Sequence, residues 1–437
     1  MMWRDRATDV DPELVLVVEA TANAIATRPA IELQPTETVE SRTTSCVESR
    51  TARGVESRPT RGVESRPTTA VGSEPTATLD WEYVCRIARR HGVVPSVARY
   101  LEQNDELEAP DGVCERLTGA AGQIHRQNLQ FAGTLHRVLR VFDENGVRAI
   151  AFKGPTLAAV AYGDLGLRQF GDLDFLVLRE DLPTAATALE SIEFERETDL
   201  GPYSIAELVR GTRGVETSTE LAFVDPRSNV EVELRFTQGD RHGGGTIDVP
   251  ALYRNRTDAS VGGQSAPVLS PTDRLVVLSA HGGKHNWRRL EWIVDLAVAA
   301  AVGDSDWQVA NKRASARDTH REFLLGVLLV TQLFDLEVPA AVARELADDE
   351  RVHAVGRTIL SDFVADPLAR RSIVGRHRLR ATLRDDLVSR FTSLATGPHV
   401  ADYRYLPLAE PLWPFYRIVR PFRLGVKLGR SASPLGR

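Results

Sequence analysis

The sequence predicts an α+β fold, a small mixed β-sheet core with helical N-terminal and C-terminal segments. Three observations predict it. An apolar strand, a tight turn and a small-residue helix follow one another over residues 147–162. A strand opened by two acids (residues 172–178) is followed by two alternating stretches that flank Asp225-Pro226-Arg227-Ser228, a hairpin pattern. Strand patterns stop at Ser270, beyond which the apolar periodicity is helical.

Each element follows from local chemistry. Residues 12–25 carry Leu14, Val15, Val17, Val18, Ala22 and Ile25 at helical spacing, so 1–26 is read as an amphipathic helix that packs on the body. From Val39 the chain repeats every eight residues (VESRTTSC, VESRTARG, VESRPTRG, VESRPTTA, VGSEPTAT), and no Phe, Trp or Tyr occurs between Thr27 and Asp80. Such a stretch cannot bury enough apolar surface to offset its ordering entropy, so 27–80 is expected to be a disordered linker. Residues 81–146 form a helical subdomain. It contains two short helices broken at His91-Gly92, then a long helix over 112–144 with Leu129, Leu135, Val138, Leu139 and Phe142 facing inward.

The α/β core spans 147–269. It contains the strand 147–152 (VRAIAF), the turn Lys153-Gly154-Pro155-Thr156, a helix through Tyr162, a loop at 163–171, the strand 172–178, a helix at 182–191, and the hairpin strands 216–224 and 229–236. His242-Gly243-Gly244-Gly245 reads as a flexible loop. Ser270 as N-cap with Pro271 at the first helical position opens a helical domain over 270–400, with an interruption expected near Gly282-Gly283. The tail, 401–437, mixes Trp413, Phe415, Tyr416 and Phe422 with Arg417, Arg420, Arg423 and Lys427. It suits docking on its own domain or peripheral contact with an anionic membrane surface.

Composition narrows the classes. The formal charge of −6, from 60 acids against 54 basic residues, argues against gripping nucleic acid through the whole surface. Nearly all positive charge is arginine, the four lysines being Lys153, Lys284, Lys312 and Lys427. Cys46, Cys85 and Cys114 fit no disulfide framework or cysteine zinc site, so a reducing cytoplasm is the expected location. No signal-peptide core and no apolar run of membrane-spanning length occurs, so neither secretion nor integral membrane insertion is expected.

The residues with chemistry cluster in the core. Alternation in Asp172-Leu173-Asp174 puts both carboxylates on one strand face, and two such groups repel unless a cation lies between them. Hard oxygen donors of this kind suit Mg²⁺ (or Mn²⁺), which also bridges nucleotide phosphates. In residues 229–236 (NVEVELRF) the same alternation puts Glu231, Glu233 and Arg235 on one face, so a neighbouring strand can offer Glu233 to the same metal, with Glu231 as the alternative. The turn at Gly154 permits close backbone approach to an anion, with Lys153 or Thr156 adding a charge or a hydroxyl. His281 and His285, four apart, share a helix face, but Gly282 stands where a zinc protease has its glutamate.

Residues 150–177, IAFKGPTLAAVAYGDLGLRQFGDLDFLV, resemble the signature of the uncharacterised nucleotidyltransferase family of the polymerase-beta-like superfamily. The resemblance continues at residues 232–236 and at 281–295 (HGGKHNWRRLEWIVD). It implies a metal-dependent enzyme in which Asp172, Asp174 and Glu233 hold two metal ions. Lys153 and Gly154 would hold the triphosphate, Arg168 stands where the family keeps an arginine, and Lys284 would contact a nucleotide or acceptor phosphate across the cleft. The chain departs from the pattern at Pro155, where the superfamily has serine, and at Arg235-Phe236, where the family has His-Trp.

The expected activity is transfer of a nucleoside monophosphate from an NTP to an acceptor hydroxyl or phosphate, with release of pyrophosphate. The acceptor stays open among a small molecule, a sugar phosphate, a protein and an RNA end. A catalytically silent nucleotide-binding or partner-docking module and a γ-phosphate phosphotransferase are the rival readings.

Overall fold

The structure is a computed structural model. It describes residues 10–27, 79–200, 204–206, 220–236, 248–317, 319–369, 372–383, 400–416, 418–420 and 422–423. The octad repeats and the 242–245 loop lie outside the described residues.

Period-two alternation builds the sheet. β1 (Ala149–Ala151), β2 (Asp172–Val177), β3 (Glu195–Arg196), β4 (Glu220–Asp225) and β5 (Val230–Arg235) pair in the order β1-β2-β5-β4-β3. β2 runs parallel to β5, and the other neighbours are antiparallel. The β4–β5 hairpin turns where expected. There the Asp225 carboxylate accepts from the Arg227 N–H at 3.0 Å and the Ser228 hydroxyl at 2.8 Å, local bonds typical of Asx turns. β6 (Thr257–Val261) and β7 (Gln264–Val268) form a separate hairpin that the sequence analysis does not anticipate. Its turn is Gly262-Gly263, both at positive φ (56° and 83°), the conformation a two-residue hairpin loop demands.

Helices surround the sheet. They are α1 (Pro12–Ala26), α2 (Trp81–His91), α3 (Val94–Gln103), α4 (Asp111–Glu144), α5 (Gly154–Leu157, followed by a π turn at Ala158–Tyr162), α6 (Leu182–Ser191), α7 (Val249–Arg254), α8 (Pro271–Lys284), α9 (Leu290–Ala301), α10 (Trp307–Ser315), α11 (His320–Phe334), α12 (Ala340–Asp348), α13 (Glu350–Ala365), α14 (Ile373–Thr382) and α15 (Val400–Tyr405). One sheet face, carrying Leu173, Phe175, Phe223, Val232 and Leu234, is buried with Leu135, Val138 and Phe142 of α4 and Leu182 and Leu189 of α6. On the opposite face Ile150 and Leu176 pack with Leu252 of α7 and Val277 of α8. The acids of β2 and β5 lie on this second face, where apolar cover stops.

A second core is wholly helical and joins the N-terminal segments to the C-terminal ones. Leu14, Val17 and Val18 of α1 pack in it with Ile87, Val97, Ile293, Leu296 and Phe323. The Asp80 N–H donates to Glu13 Oε1 at 2.7 Å, so the two ends of the described chain flanking the octads meet.

One expectation needs correction. Leu129 is 50% exposed rather than inward, because the middle of α4 runs past the body before reaching the sheet. The interruption expected near Gly282-Gly283 falls at residues 285–289, between α8, which ends at Lys284, and α9, which begins at Leu290. A Cβ on Gly282 would fall 2.5 Å from the Trp287 ring and one on Gly283 2.5 Å from Glu322 Cγ, so both glycines are packing residues. In the tail, Tyr416 is buried, its hydroxyl donating to the Leu406 carbonyl at 2.8 Å, while Phe415 and Phe422 remain exposed.

Candidate active site

Register assembles the site. Across the parallel β2–β5 pair, Asp172 lies opposite Glu231 and Asp174 opposite Glu233, and across β4–β5 Glu220 lies opposite Arg235. Paired positions share a sheet face, so acids from three strands meet on one surface. Oxygens of Asp172, Asp174 and Glu233 all lie within 4.8 Å of one another. Asp172 and Glu233 line a cavity of about 660 Å³, with Asp174 buried behind them; it is walled on the sheet side by Lys153, Arg168, Glu231 and Arg235, and on the helical side by His281, Lys284, His285, Arg289, Glu291 and Trp292.

Asp174 is nearly closed to solvent. Lys153 Nζ donates to both its oxygens at 3.1 Å, and Arg235 Nε donates at 3.0 Å. Burial by itself would raise its pKa, but these two cations outweigh burial and hold it down at about 2. The Arg235 guanidinium also reaches Glu233 at 2.5 Å and Glu220 at 2.9 Å, spanning three carboxylates with one planar fork. Asp172 is half-buried and takes no part in this cluster. Burial and then the Asp174 charge push its carboxyl up, against Lys153 and Arg168. Glu233 is raised to about 7 by burial, with Asp174, Glu220 and Asp172 adding to it and Arg235 opposing.

The turn after β1 brings Gly154 against β2. Its φ is +54°, and a Cβ there would sit 3.1 Å from the Asp172 carbonyl oxygen, so the backbone runs as close to the acids as glycine allows. Thr156 is buried, its hydroxyl donating to the Lys153 carbonyl at 2.7 Å; it fixes the turn rather than lining the cavity. Arg168 lines the cavity and is clamped from behind. Its Nε and Nη2 donate to Asp295 of α9 at 2.8 and 2.9 Å, and Tyr162 donates to the same carboxylate at 2.7 Å. Its Nη1 is left without a hydrogen-bond partner.

His281 and His285 face each other, ring centroids 4.6 Å apart, and both lie against Trp292. Burial drives both pKa values down, His285 to about 3 with Lys284 and Lys153 adding to the effect, so both rings are neutral at pH 7. Lys284 Nζ lies 4.0 Å from Glu220 Oε2, across the cleft from its own helix. Sequence reasoning missed Glu220, and it missed Arg235 as the group binding two of the three candidate metal ligands. The alternation of 229–236 marked the face of Arg235, but only the strand register brings Glu220 opposite it.

Carboxylates of two strands gather beside a cleft and a glycine turn, a donor set of hard oxygens. A family model described as uncharacterised nucleotidyltransferase matches residues 77–335, more than half of the chain. The chain belongs to that family, and its general activity is nucleotidyl transfer. No curated protein and no solved structure matches it. No helix among the described residues is long and apolar enough to cross a membrane.

Proposed function

We propose that this chain is a metal-dependent nucleotidyltransferase that moves a nucleoside monophosphate from an NTP to an acceptor hydroxyl or phosphate, releasing pyrophosphate. The observation that carries the reading is the triad Asp172, Asp174 and Glu233, three hard oxygen donors within 4.8 Å, two of which, Asp172 and Glu233, line one cleft. Three carboxylates, each offering an oxygen to one point, are hard donors, so the set fits Mg²⁺ or Mn²⁺. Bound there, such an ion supplies Lewis-acid activation of the acceptor oxygen and neutralisation of the triphosphate.

The chain's own groups do the rest. Lys153, fixed on Asp174, keeps a positive charge beside the Gly154 turn, where backbone can approach an anionic phosphate. Arg235 holds Asp174 and Glu233 at a set spacing, a preorganisation that costs nothing at the moment of reaction. His281 and His285, being neutral, offer hydrogen bonds without adding charge.

The test uses NTPs labelled at the α- or γ-phosphate with Mg²⁺ and a cell extract, comparing wild type with Asp172→Asn. Transfer of α-label by wild type, reduced more than about 100-fold in the variant, is expected, since even outer-shell changes at metal sites cost about 10–100-fold. Transfer of γ-label would make the protein a phosphotransferase. NTP binding without transfer of either label would make it a silent binding module.

A further inference from the structure

Uncovered apolar side chains gather at one end of the chain. Among the described residues seven large apolar side chains are exposed, and six of them, Tyr405, Leu406, Leu412, Phe415, Ile418 and Phe422, fall within residues 405–422, the seventh being Leu129 of α4. Scattered singly such residues need no explanation, but a group gathered in one segment marks a surface for contact. The way the segment is pinned turns these side chains outward. Tyr416 is fully buried, its hydroxyl donating to the Leu406 carbonyl and accepting from the Leu408 N–H at 2.9 Å. Asp402 of α15, also buried, accepts from Arg423 Nε at 2.6 Å. The described residues between 416 and 423 are helical, and Phe415, Ile418 and Phe422 stand three and four apart, the spacing that aligns side chains along one helix face. Ile418 and Phe422 are 70% and 67% exposed, so they are not core for the domain that carries them.

Charge identifies the partner of this face. Residues 370–437 hold fourteen Arg and Lys against four Asp and Glu, a net +10, in a chain whose total is −6, so the residues before them carry −16. Pairs inside the segment, such as Arg423 with Asp402, are already cancelled in that count. A second copy presenting the same face would bring two basic segments together, which disfavours self-pairing. Nucleic acid would match the charge, but its phosphates cannot bury the aliphatic side chains of Leu406, Leu412 and Ile418. An anionic bilayer matches both, since its headgroups attract Arg and Lys and the layer beneath them takes up aromatic and aliphatic side chains. The same surface repels the acidic remainder, so the molecule meets it by this end.

We propose that the exposed face carrying Phe415, Ile418 and Phe422 is a peripheral docking surface for an anionic bilayer, these side chains entering the headgroup layer while the basic C-terminal region is held by the headgroup charge. The contact lies on the membrane rather than across it, as no described helix is long and apolar enough to span one. It is independent of the nucleotidyl-transfer reading.

The experiment floats full-length protein with vesicles of phosphatidylcholine alone and of phosphatidylcholine and phosphatidylglycerol in equal parts. Wild type should float with the anionic vesicles and not with the neutral ones. It should leave them as salt rises from about 0.1 M to about 1 M, where the screening length falls from about 10 Å to about 3 Å. Phe415→Ser/Ile418→Ser/Phe422→Ser should weaken binding about tenfold or more, a loss that unburying a single large side chain can produce. Its melting temperature should not change, because all three side chains are exposed. Ile418→Ser alone, at the most exposed position, should weaken binding several-fold and guards against a folding defect in the triple variant. No flotation with either vesicle, equal flotation with both, or flotation unchanged in both variants would each overturn the proposal. Binding of an RNA oligomer by a protein that ignores the vesicles would assign the basic region to nucleic acid and overturn it as well. The readout needs no turnover, so its failure and that of the transferase reading are separate results.

Discussion

Replacing Asp174 by Asn would leave the Lys153 ammonium and the Arg235 guanidinium beside a neutral amide in a site almost closed to water. Breaking a buried pair from one side costs about 3–5 kcal/mol. Asp174→Asn should therefore lower the urea midpoint strongly as well as end transfer, whereas Asp172→Asn, outside the ion-pair cluster, should end transfer with its midpoint nearly unchanged. Equal midpoints for the two variants would contradict the network. The alternation of β2 shows both aspartates in the sequence, but it cannot show which one folding depends on, because Lys153 comes from the turn after β1 and Arg235 from β5. His91 was legible only as a helix boundary. In the fold its Nδ1 accepts from the Leu290 N–H at 3.1 Å and its Nε2 bonds the Pro367 carbonyl at 2.8 Å, so the ring is neutral and fills a helix-terminus vacancy for α9. Burial lowers its pKa to about 4 from 6.5. The unfolded chain binds the proton first, so this stability is complete above pH 6.5 and is lost as pH falls toward 4, up to about 3 kcal/mol. Against His91→Gln, the wild-type melting temperature should lose its advantage across that window; parallel curves would rule the account out.

At the scale of elements, α8, α9 and α11 meet around Trp287, which is fully buried. Gly282 lies against the ring, and a Cβ on Gly326 of α11 would lie 2.8 Å from it. The indole occupies a slot made by two glycines far apart in sequence. Gly282→Ala should overpack it and cost roughly 1–3 kcal/mol, read as a lower melting temperature, even though alanine favours an isolated helix. Stabilisation by that change would mean the slot is loose. Local reasoning placed the helix interruption within a few residues of 285–289, where it occurs, but glycine's intrinsic propensity could not show that Gly282 packs on the ring, which is a tertiary contact. The β6–β7 hairpin was missed altogether, since its short strands, half exposed, lack an apolar signature.

The whole molecule is held by contacts that sequence order hides. The parallel register of β2 and β5, which sets the metal triad, joins segments more than 50 residues apart, and only their shared alternation hinted that they pair. Arg168 and Asp295 tie the sheet core to the C-terminal helices through a buried pair. α1 is held likewise. Leu14, Leu16, Val17, Val18 and Ile25 are buried, and at about 1.5–3 kcal/mol per large aliphatic side chain their loss approaches the total stability of a typical domain. Removing residues 1–26 should therefore leave an insoluble or unfolded chain. Excising the octads, residues 39–78, should leave the melting temperature and transfer activity nearly unchanged, because a loop's closure entropy depends only weakly on its length. A marked loss on excision would give the repeats a structural role. The meeting of Glu13 with Asp80 has a consequence for how the chain can be cut. Since α1 is seated by packing rather than by its tether, a single proteolytic nick among the repeats yields two polypeptides that stay together as a non-covalent complex. The N-terminal fragment then acts as an exchangeable subunit, which a synthetic peptide of the same sequence can replace.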